Sequence, residues 1–169
     1  AWQPFDQVPA FADQDLKFFE SGAILLYLGE DDERLLPAEP QTRWNAISWL
    51  FAALNSVEPH VGRLVSYDLF HAGKDWVGEA RKAGAELVDR KLMRVSDALG
   101  DKEWLAGSFS IADIAMATVL TNLRHTDMVA AYPNLAAYLD RASARPAYKR
   151  ALEAQLADFS DNVPQMEGA

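Results

Sequence analysis

Two short apolar runs separated by a turn-forming sequence lie near the start of the chain. Apolar residues fill positions 8–12 and, apart from Lys17, positions 16–19, with Asp13-Gln14-Asp15 between the two runs. Aspartate side chains favour tight turns because they bond their own backbone, so this pattern predicts a β-hairpin. A helix is predicted next, from about Ser21 to Leu28, and Gly29 is expected to end it.

From residue 41 onward the spacing of apolar residues is helical. Between residues 41 and 65 they occupy more than one helical face, which is typical of a central helix, and Pro59 is expected to kink it by removing a hydrogen bond. Further helices are predicted at about 75–99, 110–124, 133–144 and 146–156. The predicted fold class is α+β and mostly helical. Its parts are residues 1–30, a linker at 31–40, an all-helical domain at 41–157 and a tail at 158–169.

Composition and charge narrow the classes of function. The chain has 169 residues and a net charge of −9, of which −7 falls on residues 1–40. No basic stripe is present to neutralise phosphates, so a nucleic-acid partner is not expected. The longest apolar runs have six residues, far below the ~20 that span a bilayer, and no secretory signal opens the chain. We therefore expect no membrane partner and a cytoplasmic location.

Metal and thiol chemistry are not expected from these residues. Cysteine is absent, which excludes disulfides, thiolate zinc sites and a cysteine nucleophile from the 169 residues. His60, His71 and His125 show no paired spacing for a metal ion. We predict no metal site and interpret the three histidines as surface or hydrogen-bonded side chains.

The segment Phe109–Ile114 carries the strongest local signal in the chain. Ser110 can cap the free amides at the start of a helix, while the Asp113 carboxylate can reach back to the amide of Ser110, as in a capping box. A buried helix has to begin at a defined residue. We therefore interpret this motif as structural and not as an active site.

Two segments that flank the hairpin carry the candidate binding chemistry. Pro9 cannot donate to a strand ladder, so it indicates an edge, a bulge or a cis bond, and it leaves the backbone groups of Val8 open to another partner. Glu20 and Ser21 stand where a strand meets a helix, where free amides favour a carboxylate and the Glu20 carboxylate can accept from an ammonium group. Taken alone, Ser21 is more often a plain N-cap and Glu20 a solvated charge; the combination of both segments is more specific.

With these segments the chain resembles the glutathione transferases, bacterial members included. The similarity rests on Gln7–Phe11, Glu20–Leu28 and Phe109–Ile114. Members of that family join a thioredoxin-like domain to an all-helical domain. The resemblance therefore implies a partial thioredoxin-like domain of two strands and a helix, followed by the family's all-α C-terminal bundle.

The resemblance also implies a glutathione site. Pro9 would be a cis-proline, and Val8 would pair through its backbone with the cysteinyl part of glutathione. Glu20 and Ser21 would hold the ammonium and carboxylate of the γ-glutamyl group, and Asn55–Pro59 is similar to the kinked helix beside the electrophile pocket. The implied function is transfer of glutathione, as co-substrate, to small hydrophobic electrophiles, or their reduction with it. A homodimer is implied as well.

One part of the family pattern has no counterpart in this sequence. Family members begin with a strand–helix–strand unit ahead of the Val-Pro strand, which takes about 30 residues, whereas seven residues precede Val8. The residue that activates the thiol, a Tyr, Ser or Cys after the first strand, is expected outside this chain, and no catalytic residue is assigned. A fragment of an ordinary enzyme, a truncated protein-interaction module and a non-catalytic binder of glutathione conjugates all fit the sequence.

Overall fold

The computed structural model describes residues 3–161, with side chains through residue 159. The elements are β1 (Ala10–Asp13), β2 (Leu16–Phe19), α1 (Ser21–Glu30), α2 (Pro40–Phe51), a π-helical turn (Ala52–Val57), α3 (Glu58–Leu69), α4 (Val77–Leu99), α5 (Ile111–Thr121), α6 (Pro133–Ala144) and α7 (Pro146–Asp161). The predicted class, α+β and mostly helical, is confirmed. Within the described range, no helix combines the length and apolar character needed to cross a membrane.

β1 and β2 form the predicted antiparallel hairpin, joined by the two-residue turn Gln14-Asp15. Gln14 has a φ of 50°. The carboxylate of Asp13, expected to bond its own backbone, accepts instead from the Tyr27 hydroxyl at 2.9 Å, because α1 packs across the hairpin. Three aromatic rings share this contact, those of Phe11, Phe18 and Tyr27.

Helix α5 lies at the centre of the helical domain. Eight of its eleven residues are buried, and α2, α6 and the π-helical turn pack around it. The helix ends at Thr121, three residues before the predicted end. Beyond it the chain continues in turns closed by backbone hydrogen bonds, such as that from the Leu123 N–H to the Leu120 carbonyl at 3.0 Å.

Asp113 organises the buried start of α5. It forms the predicted capping box with Ser110, whose N–H donates to Asp113 Oδ2 at 2.9 Å. The same carboxylate accepts from the Leu105 N–H and from the Tyr138 hydroxyl, each at 3.0 Å. Asp113 is fully buried, and its burial raises the pKa of the carboxyl. One side chain therefore joins the loop before α5, the helix start and α6.

A π-helical turn replaces a simple kink near Pro59. The turn, Ala52–Val57, joins α2 to α3 without a loop. Pro59 has no N–H to donate to the carbonyl of Asn55 four residues earlier, so a regular α-helical ladder cannot continue through this point. The irregular turn ends directly before Glu58, the first residue of α3.

Two glycines of α1 allow close contact between the first thirty residues and the helical domain. A Cβ on Gly22 would lie 2.8 Å from Leu54 Cδ1, and a Cβ on Gly29 would lie 3.0 Å from the Cβ of Leu36. A larger residue at Gly29 would push the two surfaces apart, whereas at Gly22 the end of the Leu54 side chain would have to move. Leu36 is itself buried in the core, so the segment between α1 and α2 is anchored to the helical domain.

Candidate functional site

The peptide bond between Val8 and Pro9 is cis, as predicted, and lies directly before β1. Val8 is 92% exposed, so it takes no part in the core. Within residues 3–161, no hydrogen bond engages the backbone N–H or carbonyl of Val8. Both groups are therefore available to a ligand.

Glu20 and Ser21 occupy the start of α1. Glu20 has φ 76° and ψ 122°, in the positive-φ region that residues other than glycine rarely adopt and that is over-represented at functional sites. Ser21 is the first helical residue, and Glu20 takes the N-cap position without a side-chain capping bond. The interpretation of Ser21 as a plain N-cap is therefore wrong. The first amides of α1 lack intrahelical partners, as at any helix start.

The four residues predicted for the site line one cavity of about 270 Å³. Val8 and Pro9 contribute from the strand start, and Glu20 and Ser21 from the helix start. Pockets that enclose drug-sized ligands typically measure about 300–1,000 Å³. This cavity therefore suits one end of a small peptide rather than a large ligand.

Three further residues line this cavity that were not assigned to the glutathione site from the sequence: Gln3, Gln7 and Glu58. Gln3 is largely buried, and its side-chain oxygen accepts from the Gln7 N–H at 3.3 Å, so it shapes the loop before Val8. Glu58 comes from α3, more than thirty residues away in sequence from the other lining residues. The sequence feature that could have indicated Glu58 was its position directly before Pro59, where the helix was expected to kink.

The charges at the cavity favour a zwitterionic group. Two carboxylates, those of Glu20 and Glu58, line it, and none of its described lining residues is Lys or Arg. Partial burial and the charge of Glu20 raise the pKa of Glu58. The amides at the start of α1 favour an anion, because the first amides of a helix lack intrahelical partners and carry its positive dipole end. A free α-amino acid group offers both an ammonium and a carboxylate.

The histidines lie away from this cavity. His125 Nε2 is 3.0 Å from Asp68 Oδ2, and the His71 ring packs on Trp76 with centroids 5.2 Å apart. His60 lies on α3, one residue beyond Pro59. Across the described part of the chain, no three His, Cys, Asp or Glu side chains are grouped to hold a metal ion.

Comparison with known proteins identifies the family. A family model described as the glutathione S-transferase N-terminal domain matches residues 1–30, and one described as the C-terminal domain matches residues 78–141. The disulfide-bond oxidoreductase YfcG of Escherichia coli strain K12 is 33% identical over 156 residues, which cover 90% of this chain and 72% of that protein. The chain belongs to the glutathione transferase family.

Other relatives support the assignment of this chain to the glutathione transferase family. Glutathione S-transferase F14 of Arabidopsis thaliana is 30% identical over 158 residues, covering 86% of this chain and 62% of the relative. A glutathione transferase from Burkholderia graminis, crystallised with two glutathione molecules bound per subunit, is similar with a TM-score of 0.81 at 32% identity, covering 90% of this chain and 69% of that one. The predicted partial thioredoxin-like domain followed by a helical C-terminal domain is confirmed by this likeness.

Proposed function

We propose that this member of the glutathione transferase family binds glutathione in the cavity beside α1 and uses its thiol in chemistry on small molecules. The observation that carries the proposal is the shared cavity of Val8, Glu20 and Ser21. It brings together free backbone groups, an anion and hydrogen-bond donors. A γ-glutamyl-cysteinyl unit needs these same partners, because it presents a peptide group, an ammonium and a carboxylate.

Each predicted residue takes a defined role in this proposal. The backbone N–H and carbonyl of Val8 pair with the cysteinyl peptide group, and Pro9 fixes the direction in which they point. The hydroxyl and N–H of Ser21 donate to the γ-glutamyl carboxylate at the positive end of α1. Glu20 accepts from the ammonium. Hydrogen bonds that involve charged partners are the stronger ones, so Glu20 and Ser21 supply most of the affinity.

The proposed reaction is nucleophilic attack by the glutathione thiolate. Its sulfur forms a bond to an electrophilic carbon of a small apolar molecule, and a leaving group departs or the adduct takes up a proton. A thiol is a good nucleophile only when deprotonated, so a hydrogen-bond donor has to stabilise the thiolate. We propose that this donor lies outside the 169 residues. The π-helical turn and α3 form the wall beside the electrophile.

Disulfide reduction is the second candidate reaction. One relative, at 33% identity, is described as a disulfide-bond oxidoreductase, and a structural neighbour holds two glutathione molecules per subunit. Two glutathione thiols can reduce one substrate disulfide to two thiols while they are oxidised to glutathione disulfide. A site that accepts two glutathione molecules favours this stoichiometry.

We further propose that the protein is a homodimer. Trp44 and Phe51 lie seven residues apart on α2, which places them on one helical face, and they are 64% and 48% exposed. Large exposed side chains on one face mark a surface that another molecule can cover. Sedimentation at micromolar concentration tests this proposal, and a monomer alone would contradict it.

Calorimetric titration of the complete protein with glutathione tests the main proposal. Turnover is measured in parallel on a chromogenic aryl halide and on a small disulfide. Binding together with either turnover supports an enzyme, and the faster reaction identifies which one. Binding without turnover supports the alternatives, a non-catalytic binder of glutathione conjugates or an interaction module. Absence of binding would contradict the proposed site.

A further inference from the structure

Glu58 brings a carboxylate of the helical domain to the cavity that Glu20 and Ser21 line from α1. We propose that Glu58 is a second anionic partner of the γ-glutamyl ammonium group, which is then held between Glu20 and Glu58. This inference rests on the proposed function, since it concerns the same cavity and ligand. It adds a residue that determines specificity, one that selects for the free α-amino group of the ligand.

The placement of Glu58 follows from the irregular helix. The π-helical turn ends at Val57, and Glu58 is the next residue. A π-helical turn changes the direction in which the following side chains project, and such turns are frequent at functional sites. The same turn contacts α1 through Leu54, which reaches the position of Gly22, the residue after Ser21. The turn that directly precedes Glu58 is therefore in contact with α1 one residue beyond Ser21.

The carboxylate of Glu58 has no structural partner that would explain it. Within the described residues, no hydrogen bond or ion pair engages the side chain of Glu58. Glu30 and Glu39, by contrast, do have such partners. Glu30 pairs with Arg43 at 2.7 Å, and Glu39 caps α2 by accepting from the Thr42 N–H at 2.7 Å. Glu58 instead faces a cavity.

The pair of acids at the cavity is unfavourable without a cation. Two carboxylates in a partly desolvated space repel each other, which disfavours the charged form of either one. The raised pKa of Glu58 is in keeping with this, since burial and the charge of Glu20 both oppose its ionisation. A bound ammonium is attracted to both carboxylates and offsets the repulsion between them. Its third N–H can then donate to water or to another lining group.

The consequence of this arrangement is selection for an amino group. A thiol peptide whose γ-glutamyl nitrogen is removed or acylated keeps the carboxylate that Ser21 binds but leaves Glu20 and Glu58 at the same cavity without a cation. Specificity arises from the difference in binding free energy between two ligands, and two like charges left without a counter-charge disfavour one of them. We expect the protein to bind glutathione much more tightly than its deamino analogue, glutaryl-cysteinyl-glycine.

The experiment combines two ligands with the wild type and two variants of the complete protein. Glutathione and glutaryl-cysteinyl-glycine are titrated by calorimetry into wild type, Glu58→Gln and Glu79→Gln. The control residue, Glu79, is exposed in the first turn of α4 and lies outside the cavity. We expect Glu58→Gln to weaken glutathione binding by about tenfold, as for the loss of one charged hydrogen-bond partner. Binding of the deamino analogue should stay unchanged or tighten. Glu79→Gln should leave the affinity for both ligands unchanged.

The outcomes separate this inference from the proposed function. Suppose that wild type binds glutathione and that Glu58→Gln weakens the binding of both ligands equally or changes the binding of neither. The role of Glu58 is then refuted, while the proposed function stands. If wild type binds neither ligand, the proposed function itself fails. Glu58→Asp provides a second variant with a shorter carboxylate, and it should keep part of the preference for glutathione. Melting temperatures of all variants show whether each is folded.

Discussion

The hydroxyl of Tyr138 lies 3.0 Å from the carboxylate of Asp113, and both side chains are fully buried. Asp113→Ala would leave the N–H groups of Ser110 and Leu105 without their acceptor, and it would leave this hydroxyl with only the backbone carbonyl of residue 113, at 3.4 Å. We expect it to lower the free energy of unfolding by about 2–4 kcal/mol, because unsatisfied buried donors and a lost cap both destabilise. Tyr138→Phe removes only the hydroxyl, which contacts the carboxylate of Asp113 at 3.0 Å and its carbonyl at 3.4 Å, and should lower the free energy of unfolding by about 1 kcal/mol.

Chemical denaturation of both variants measures these changes in stability. Glutathione affinity of the folded fraction should stay the same in each variant, because neither side chain lines the cavity. A loss of affinity in Asp113→Ala at an unaltered melting temperature would show that this residue belongs to a binding site and not to a helix cap.

Glu20 and Ser21 are expected to dominate the affinity for glutathione. Glu20→Ala removes the acceptor of the ammonium, and Ser21→Ala removes a donor to the γ-glutamyl carboxylate. The loss of a charged hydrogen-bond partner typically amounts to ~1.5–3 kcal/mol, or about ten- to a hundredfold in affinity. Calorimetric titration of the complete protein measures the effect. Unchanged affinity in both variants, at an intact fold, would leave the family fold without a supported glutathione site.

Asp68 is expected to make stability depend on acid pH. Partial burial opposes its ionisation, but hydrogen bonds from Arg81 and His125 outweigh this and lower the pKa of Asp68. A carboxylate with a lowered pKa stabilises the fold above its ordinary value of 3.8, and this contribution disappears as pH falls through the lowered value. Asp68→Asn should therefore lower stability by about 1 kcal/mol at pH 7, a modest effect because Arg81 is half exposed.

The difference between wild type and Asp68→Asn should shrink as the pH falls below about 4, the ordinary range for aspartate. Thermal unfolding at a series of pH values measures it. Asp97→Asn is the matched control, since Asp97 is 64% exposed and lies 3.9 Å from Arg94. A pH-independent difference for Asp68→Asn would show that the carboxylate contributes through packing and not through its charge.

Two glycines in helices should respond to alanine in opposite directions. A Cβ on Gly29 would lie 3.0 Å from the Leu36 Cβ and 3.1 Å from Ile111 Cγ2, whereas a Cβ on Gly62 would meet nothing within 4 Å. The Leu36 Cβ is attached to the backbone and cannot rotate away, so Gly29→Ala should lower stability by about 1–3 kcal/mol. Gly62→Ala should raise it by about 0.5–1 kcal/mol through helix propensity. Denaturant midpoints test both, and a loss of stability in Gly62→Ala would contradict this account.

Local chemistry explains which parts of the fold were predictable. The hairpin around Gln14 and the capping box of Ser110 and Asp113 depend on neighbours within a few residues, so the sequence pattern is enough to find them. The grouping of Val8 with Ser21 came from resemblance to a family, since no spacing rule brings a strand start and a helix start together. Glu58 was missed because its position depends on an irregular turn and on packing against α1.

The π-helical turn links an exposed charge to the hydrophobic core. Glu58, Val61 and Leu64 lie on α3, with Val61 and Leu64 fully buried. Adding or deleting one residue in the turn would rotate all three by about 100° around the helix axis. A change that moved Glu58 out of the cavity would also withdraw Val61 and Leu64 from the core. Packing of Val61 and Leu64 in the core therefore sets the direction of the Glu58 carboxylate, although that carboxylate is exposed to solvent. The negative charge of Glu58 stays at the cavity for as long as the domain is folded.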